Sequence, residues 1–429
     1  KVYVGLPLDT VSTSNGLNHE RAIAVGLKAL KLLGVDGVEL PIWWGVVENE
    51  APSRYDWSSY LSVVETVQKL GLQVHASLYF NGSKESKIPL PSWVQKIASS
   101  DLYFKDRSGR RYMDCLSLSV DQLPVLDGKT PLQVYGRFCE SFKSTFSSFL
   151  GSTITGVSIG LGPDGELKYP STIVTGKDRN GGGEFQCYDE NLLRNLKHHA
   201  EVSGNPLWGL GGPHDASGYG QSPISSGFFA ENGGSWDTPY GDFFLGWYSD
   251  QLIRHGDRML SLLASAFRGI PVSLCGKIPL MHSFYSSRSH PSELTAGFYN
   301  TANRDGYDAV AEVFSRHSCT LVVPGFDLSD EKGGEPRSSP EALLAQIRNS
   351  CTRNGCEVSG ENSSSSSAKG SFEMIKKNLS GDHPPVDVFT YQRMGAHFFS
   401  PEHFPDFTRF VRSLTQPEQS PDDSPAAEE

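Results

Sequence analysis

Two glutamates stand in short loops that follow strand-like runs. Glu166 lies in Gly162-Pro163-Asp164-Gly165-Glu166-Leu167-Lys168, and Glu361 in Val358-Ser359-Gly360-Glu361-Asn362. A carboxyl pair can protonate a leaving oxygen and activate a water, which is the chemistry of glycoside hydrolysis. Each glutamate alone reads equally well as a solvated loop carboxylate. The pair gains meaning only if the fold brings both loops to one rim. Other candidates end neighbouring runs. Trp43 and Trp44 offer flat apolar surface for a sugar ring or for packing. Lys277 and His282 follow a fifth run, and Arg393 ends the last, where its fork suits hydroxyls or a carboxylate.

The segment Gly160-Leu161-Gly162-Pro163-Asp164-Gly165 matches the glycine pattern of a dinucleotide loop and follows a strand-like run. Pro163, with Tyr169-Pro170 beyond it, is poor sequence for the helix such a site requires. A tight loop projecting Glu166 is the better reading.

Eight apolar, β-branched-rich runs must position these groups: Val2–Leu8, Gly37–Trp44, Leu72–Phe80, Ile154–Leu161, Ile270–Ile278, Thr320–Leu328, Glu357–Glu361 and Val386–Arg393. They alternate with stretches of helical period at His19–Leu33, Ser59–Leu70, Asp242–Phe267, Ala302–Arg316, Pro340–Cys351 and Pro401–Leu414. Continuous apolar runs mark strands buried on both faces, and parallel pairs need helical crossovers. Eight such units predict an α/β fold, a single (β/α)8 barrel with long inserted βα loops; a doubly wound sheet is the alternative. In the barrel both glutamates sit on the C-terminal rim. The two longest inserts, between runs three and four and between four and five, are rich in Gly, Ser, Asn and Pro and are expected to build the site. The barrel spans 1–416. Ser363–Ser367 reads as mobile and 417–429 as an acidic, Pro-rich disordered tail, and Ser329–Ser339 is also polar and rich in Gly and Pro.

The 429 residues carry a net charge of −11, which excludes the basic patch a nucleic acid or an anionic membrane would need. No apolar run reaches the ~20 residues of a membrane span. Seven scattered cysteines read as reduced thiols rather than a disulfide framework. Cys351 and Cys356 lack a second ligand pair at zinc spacing, so no metal and no cofactor is expected. Three Asn-x-Ser triplets, at Asn81, Asn362 and Asn378, are short enough to arise by chance. The chain opens within a strand-like run, and no signal or transit segment is visible in it.

Taken together, the motifs resemble the plant β-amylases, inverting exo-hydrolases that release maltose from α-1,4-glucan. The resemblance runs from Val2 to about Leu414. It rests on Gly34-Val35-Asp36-Gly37-Val38 with Trp43-Trp44-Gly45-Val46-Val47-Glu48, on Ile88-Pro89-Leu90-Pro91-Ser92-Trp93-Val94, and on Gly183-Glu184-Phe185-Gln186-Cys187-Tyr188-Asp189. Glu293-Leu294-Thr295-Ala296-Gly297-Phe298-Tyr299-Asn300 and the two glutamate loops complete it. It implies a (β/α)8 barrel, Glu166 as general acid and Glu361 as general base. Lys277, His282, Arg393, Asn362 and Trp43 then fall at substrate-contacting positions.

Four departures stand beside these matches. Pro41 replaces the family's glucose-holding aspartate. Tyr79 replaces its histidine, and the following lid, Asn81–Ile88, is shorter and poorer in glycine, with Glu85 as the candidate stand-in for the lid aspartate. Pro324 replaces the threonine that supports the acid. Ser283 and Phe284 replace two tryptophans, and Ser363-Ser364 follows Asn362 in place of Ala-Leu. Each lost contact weakens transition-state binding, at tenfold in rate per ~1.4 kcal/mol. The resemblance and its departures together imply a non-catalytic β-amylase-like protein that regulates or scaffolds starch degradation in the plastid stroma. Its expected partner is an active starch-degrading enzyme or, weakly, α-glucan. A weak or altered exo-amylase and a glucan-binding sensor remain open.

Overall fold

The computed structural model describes residues 1–97, 99–173, 181–225, 227–332, 337–363 and 370–416. The tail 417–429 and Ser364–Ser367, read above as disordered and mobile, lie outside these residues, as does part of the polar stretch Ser329–Ser339.

Eight strands form one closed parallel barrel. They are β1 (Val2–Gly5), β2 (Gly37–Trp43), β3 (Gln73–Tyr79), β4 (Ile154–Ile159), β5 (Ser273–Lys277), β6 (Thr320–Val323), β7 (Val358–Glu361) and β8 (Phe389–Tyr391). Each pairs with its neighbour in sequence, and β1 closes onto β8 with Val2 opposite Phe389. Closure decides against the doubly wound sheet. Each strand falls within a predicted run, but several are shorter. β6 stops at Val323 because Pro324 cannot continue the ladder and Gly325 takes a left-handed φ of 86°.

The helical layer comprises α1 (Glu20–Leu33), α2 (Ser58–Lys69), α3 (Pro131–Thr145), α4 (Glu190–Val202), α5 (Pro239–Ala266), α6 (Asp308–Arg316), α7 (Pro340–Arg353), α8 (Ser371–Ser380) and α9 (Phe404–Thr415). α3 begins with a reciprocal cap: the Thr130 hydroxyl accepts from Gln133 N–H while the Gln133 side chain accepts from Thr130 N–H. α3, α4 and α8 lie outside the six predicted helices. α6 starts at Asp308 rather than Ala302, because Thr301 and Arg304 close a tight turn first. α3 lies in the insert between β3 and β4, and α4 and α5 in that between β4 and β5, so these inserts are built structure.

Candidate active site

The site grows from strand parity. Successive side chains of a strand point to opposite faces. In β2, Val38, Leu40 and Ile42 are fully buried, which leaves Glu39, Pro41 and Trp43 sharing the other face. Glu39 borders an axial cavity of about 120 Å³, with Tyr3, His75, Ser158, Lys277 and Glu361. That volume is well below the ~300 Å³ at the small end of ligand pockets. This cavity reaches the strand starts at Lys1, Ser273, Glu357 and Asp387 and has room for waters; Glu166 and Tyr79 are not among its lining.

Glu166 leaves β4 through the turn Pro163–Gly165. The loop is anchored to β5 by Leu167 N–H, which donates to the Lys277 carbonyl at 2.8 Å. The Glu166 carboxylate faces Lys168 Nζ at 2.9 Å, and the same ammonium lies 2.8 Å from Asp164. Burial raises the Glu166 carboxyl above its ordinary pKa, and Lys168 only partly opposes this.

Glu361 ends β7 and is 8% exposed. Its Oε1 lies 2.8 Å from Lys277 Nζ and accepts from Gln392 Nε2 at 3.1 Å. Burial disfavours charge on Lys277, but Glu361, Tyr79 and Glu39 outweigh it and raise the ammonium's pKa well above normal. One lysine thus ties both loops together, through its carbonyl to the Glu166 loop and through its ammonium to Glu361.

Tyr79 ends β3 and fills the space between them. Its hydroxyl donates to Glu39 at 3.2 Å and accepts from Lys277 Nζ at 3.3 Å. Burial pushes its pKa up to about 12. The ring stacks on Trp43, centroids 4.8 Å apart. It also closes on Gly165, where a Cβ would strike it. Trp43 is 3% exposed and donates its indole N–H to the Leu8 carbonyl. It therefore supports Tyr79 and offers no open sugar platform.

The other predicted residues are engaged as follows. Arg393 donates to the Leu6 carbonyl and lies 3.4 Å from Glu39. Asn362 clamps the backbone of Gln392, donating to its carbonyl at 2.8 Å and accepting from its N–H at 2.7 Å. His282 Nδ1 is 2.7 Å from the Ser338 hydroxyl; Ser283 is half-buried beside it. Pro41 sits opposite Ser77, beyond Gly5, where the pairing of β1 with β2 ends, so its missing N–H breaks no ladder bond there. Glu85 is exposed on the lid turn, which is closed by paired bonds between Ser83 and Ile88.

Pro324 opens a loop that folds down onto β7. Phe326 N–H donates to the Glu361 carbonyl at 3.0 Å, and the Phe326 ring packs on Gly360. Asp327 accepts from the Ser363 N–H and hydroxyl at 2.6 and 2.7 Å. Sequence reasoning missed Glu39, His75, Lys168 and Gln392. Glu39 had a signal: a lone carboxylate inside an apolar strand run. Burial lowers the His75 pKa to about 4, with Ser158 Oγ 2.5 Å from its Nε2. Burial also disfavours charge on Glu39, but Lys277 and Arg393 reverse that and hold its pKa low. Among the described residues no three His, Cys, Asp or Glu side chains gather as a metal site.

The model of glycosyl hydrolase family 14 matches residues 3–419. The chain belongs to that family. Among relatives of this glycosyl hydrolase family, it is 59% identical over 426 residues to "Inactive beta-amylase 9" of Arabidopsis thaliana, covering 99% of this chain and 79% of the relative. It is 40% identical to "Beta-amylase 2, chloroplastic" of Oryza sativa subsp. japonica, covering 97% and 77%. The catalytic domain of β-amylase from Paenibacillus polymyxa superposes with a TM-score of 0.79 at 24% identity, covering 97% of this chain and 99% of that one. That last likeness concerns the fold alone.

Proposed function

We propose that this chain is a non-catalytic β-amylase-like protein that regulates or scaffolds starch breakdown in the plastid stroma, through contact with an active starch-degrading enzyme. The observation that carries the reading is Tyr79. Its ring lies against Gly165, one residue from Glu166, with its hydroxyl fixed between Glu39 and Lys277. A glucose ring cannot share that volume. Pro41 supplies no carboxylate for sugar hydroxyls, and Glu361 Oε1 is already engaged by two donors. The names of an inactive relative and of chloroplastic relatives support the same reading.

A second reading, a weak or altered exo-amylase, is favoured by the raised pKa of Glu166, the condition a general acid needs. Maltose release from soluble starch separates the two. The proposal expects none above blank; robust turnover that Glu166→Gln abolishes would overturn it. Calorimetric titration with maltooligosaccharides addresses a glucan sensor: heat at millimolar ligand would favour sensing over regulation by protein contact alone.

A further inference from the structure

The last turn of α7 and the short connection to β7 carry two cysteines five positions apart, Cys351 and Cys356. Asn354 caps the helix, and Gly355 takes the left-handed conformation with φ 64°. Gly355 N–H donates to the Thr352 carbonyl at 3.3 Å, and Cys356 N–H to the Cys351 carbonyl at 2.8 Å. These paired bonds define a helix stop in which the residue after the left-handed glycine packs its side chain on the residue five positions earlier. Here both side chains are thiols. With standard backbone lengths, that 2.8 Å bond keeps the two Cα atoms within about 6.7 Å. A disulfide needs roughly 4.4–6.8 Å.

We propose that Cys351 and Cys356 form a reversible disulfide, making this helix stop a redox-modification site. Cys356 Sγ lies 3.4 Å from the Glu357 carbonyl, and the neighbouring thiol raises the pKa of Cys351 and lowers that of Cys356. Cys356 is therefore the better nucleophile. It is also the more accessible, at 8% exposed against 1% for Cys351. The cover is thin: Thr352, Arg353 and Gly355 are exposed. Helix ends open at low free-energy cost. The co-reactant is a small disulfide such as oxidised glutathione. The Cys356 thiolate attacks one of its sulfurs and expels the other half as a thiolate, which takes up a proton. Cys351 then gives up its proton and attacks Cys356 Sγ, expelling the second thiol. Two S–H bonds are lost and one S–S bond is formed. The oxidant leaves as two thiols carrying the two electrons and two protons.

The test equilibrates the full chain in glutathione buffers of graded ratio, quenches with acid, alkylates the unfolded chain and maps peptides by mass spectrometry. Cleavage after Arg353 should yield two peptides that travel as one bridged species, two hydrogens lighter, and dithiothreitol should separate them. Cys115, Cys139 and Cys187 should alkylate fully. Cys351→Ser should stop at a glutathione adduct on Cys356, and Cys356→Ser should give no adduct at Cys351. The proposal fails if both thiols alkylate in the most oxidising buffer. It fails equally if Cys319, whose carbonyl lies 3.9 Å from Cys356 Sγ, is the residue found bridged to Cys356. An adduct on Cys351 in Cys356→Ser would overturn the assigned order of attack.

Discussion

Nζ of Lys277 lies 2.8 Å from Oε1 of Glu361, at the end of the polar barrel axis. The two side chains are each 11% exposed. The Glu361 carboxylate is therefore half of a buried ion pair, and Glu39 leans on the same cation.

Removing that cation should be costly. Lys277→Met leaves Glu39 and Glu361 buried without it, and breaking a buried pair typically costs ~3–5 kcal/mol. Urea unfolding should show a loss of that size. Adding Glu361→Gln should recover part of it, because the uncompensated charge goes with it. An unchanged midpoint for Lys277→Met would show that the pair contributes nothing.

Stability should fall on mild acidification. His75 stays neutral in the folded chain to about pH 4, whereas its ordinary value is 6.5. Between those values the unfolded chain binds more protons. The neutral imidazole's contribution is thus fully present above 6.5 and is lost as pH falls towards 4. Glu39, lowered below 4.5, adds a loss of the same sign at still lower pH. Glu166, raised, works in the opposite sense: its contribution is present below 4.5 and is lost as pH rises through its folded value. Urea midpoints at pH 7, 6, 5 and 4 should decline, and His75→Gln should flatten the slope above pH 4. A slope unchanged in that variant would remove His75 from the account.

The barrel was legible because parallel strands buried on both faces read as unbroken apolar runs. The helices that escaped lie in or beside Gly-, Ser- and Pro-rich stretches that read as loop, although α4 itself (Glu190–Val202) contains none of these residues. Even so, Thr130-Pro131-Leu132-Gln133 carries a start signal. Tyr79 and Pro41 could be placed from the β2 and β3 motifs, since each ends or nearly ends its strand. What Tyr79 touches could not, because Glu39, Gly165 and Lys277 reach it from three other parts of the chain. Trp43 illustrates the same limit: flat surface was readable, but its burial under Tyr79 depends on the neighbouring strand. The clamp of Asn362 on Gln392 likewise joins residues 30 apart.

The loop after β6 should be pinned by one carboxylate. Asp327 holds both the N–H and the hydroxyl of Ser363. Asp327→Ala orphans that N–H, at ~1–3 kcal/mol. The Phe326 amide, bonded to the Glu361 carbonyl, should then exchange its hydrogen about tenfold or more faster, since ~1.4 kcal/mol is a factor of ten. Equal exchange rates in the two proteins would mean that Phe326 packing on Gly360 fixes the loop unaided.

The occlusion by Tyr79 can be tested without any substrate. Gly165 has φ 78° and no room for a Cβ on the side of the Tyr79 ring. Gly165→Ala therefore meets two costs: ~1–2 kcal/mol for the left-handed backbone and ~1–3 kcal/mol for overpacking. Tyr79→Ala alone should cost ~3–5 kcal/mol through the cavity it opens beside Trp43. In the double variant the backbone cost remains but the collision is gone. The two losses should therefore fall short of additivity by about the overpacking amount, which a double-mutant cycle on unfolding free energies measures. Strict additivity would mean that the ring does not press on the Glu166 loop.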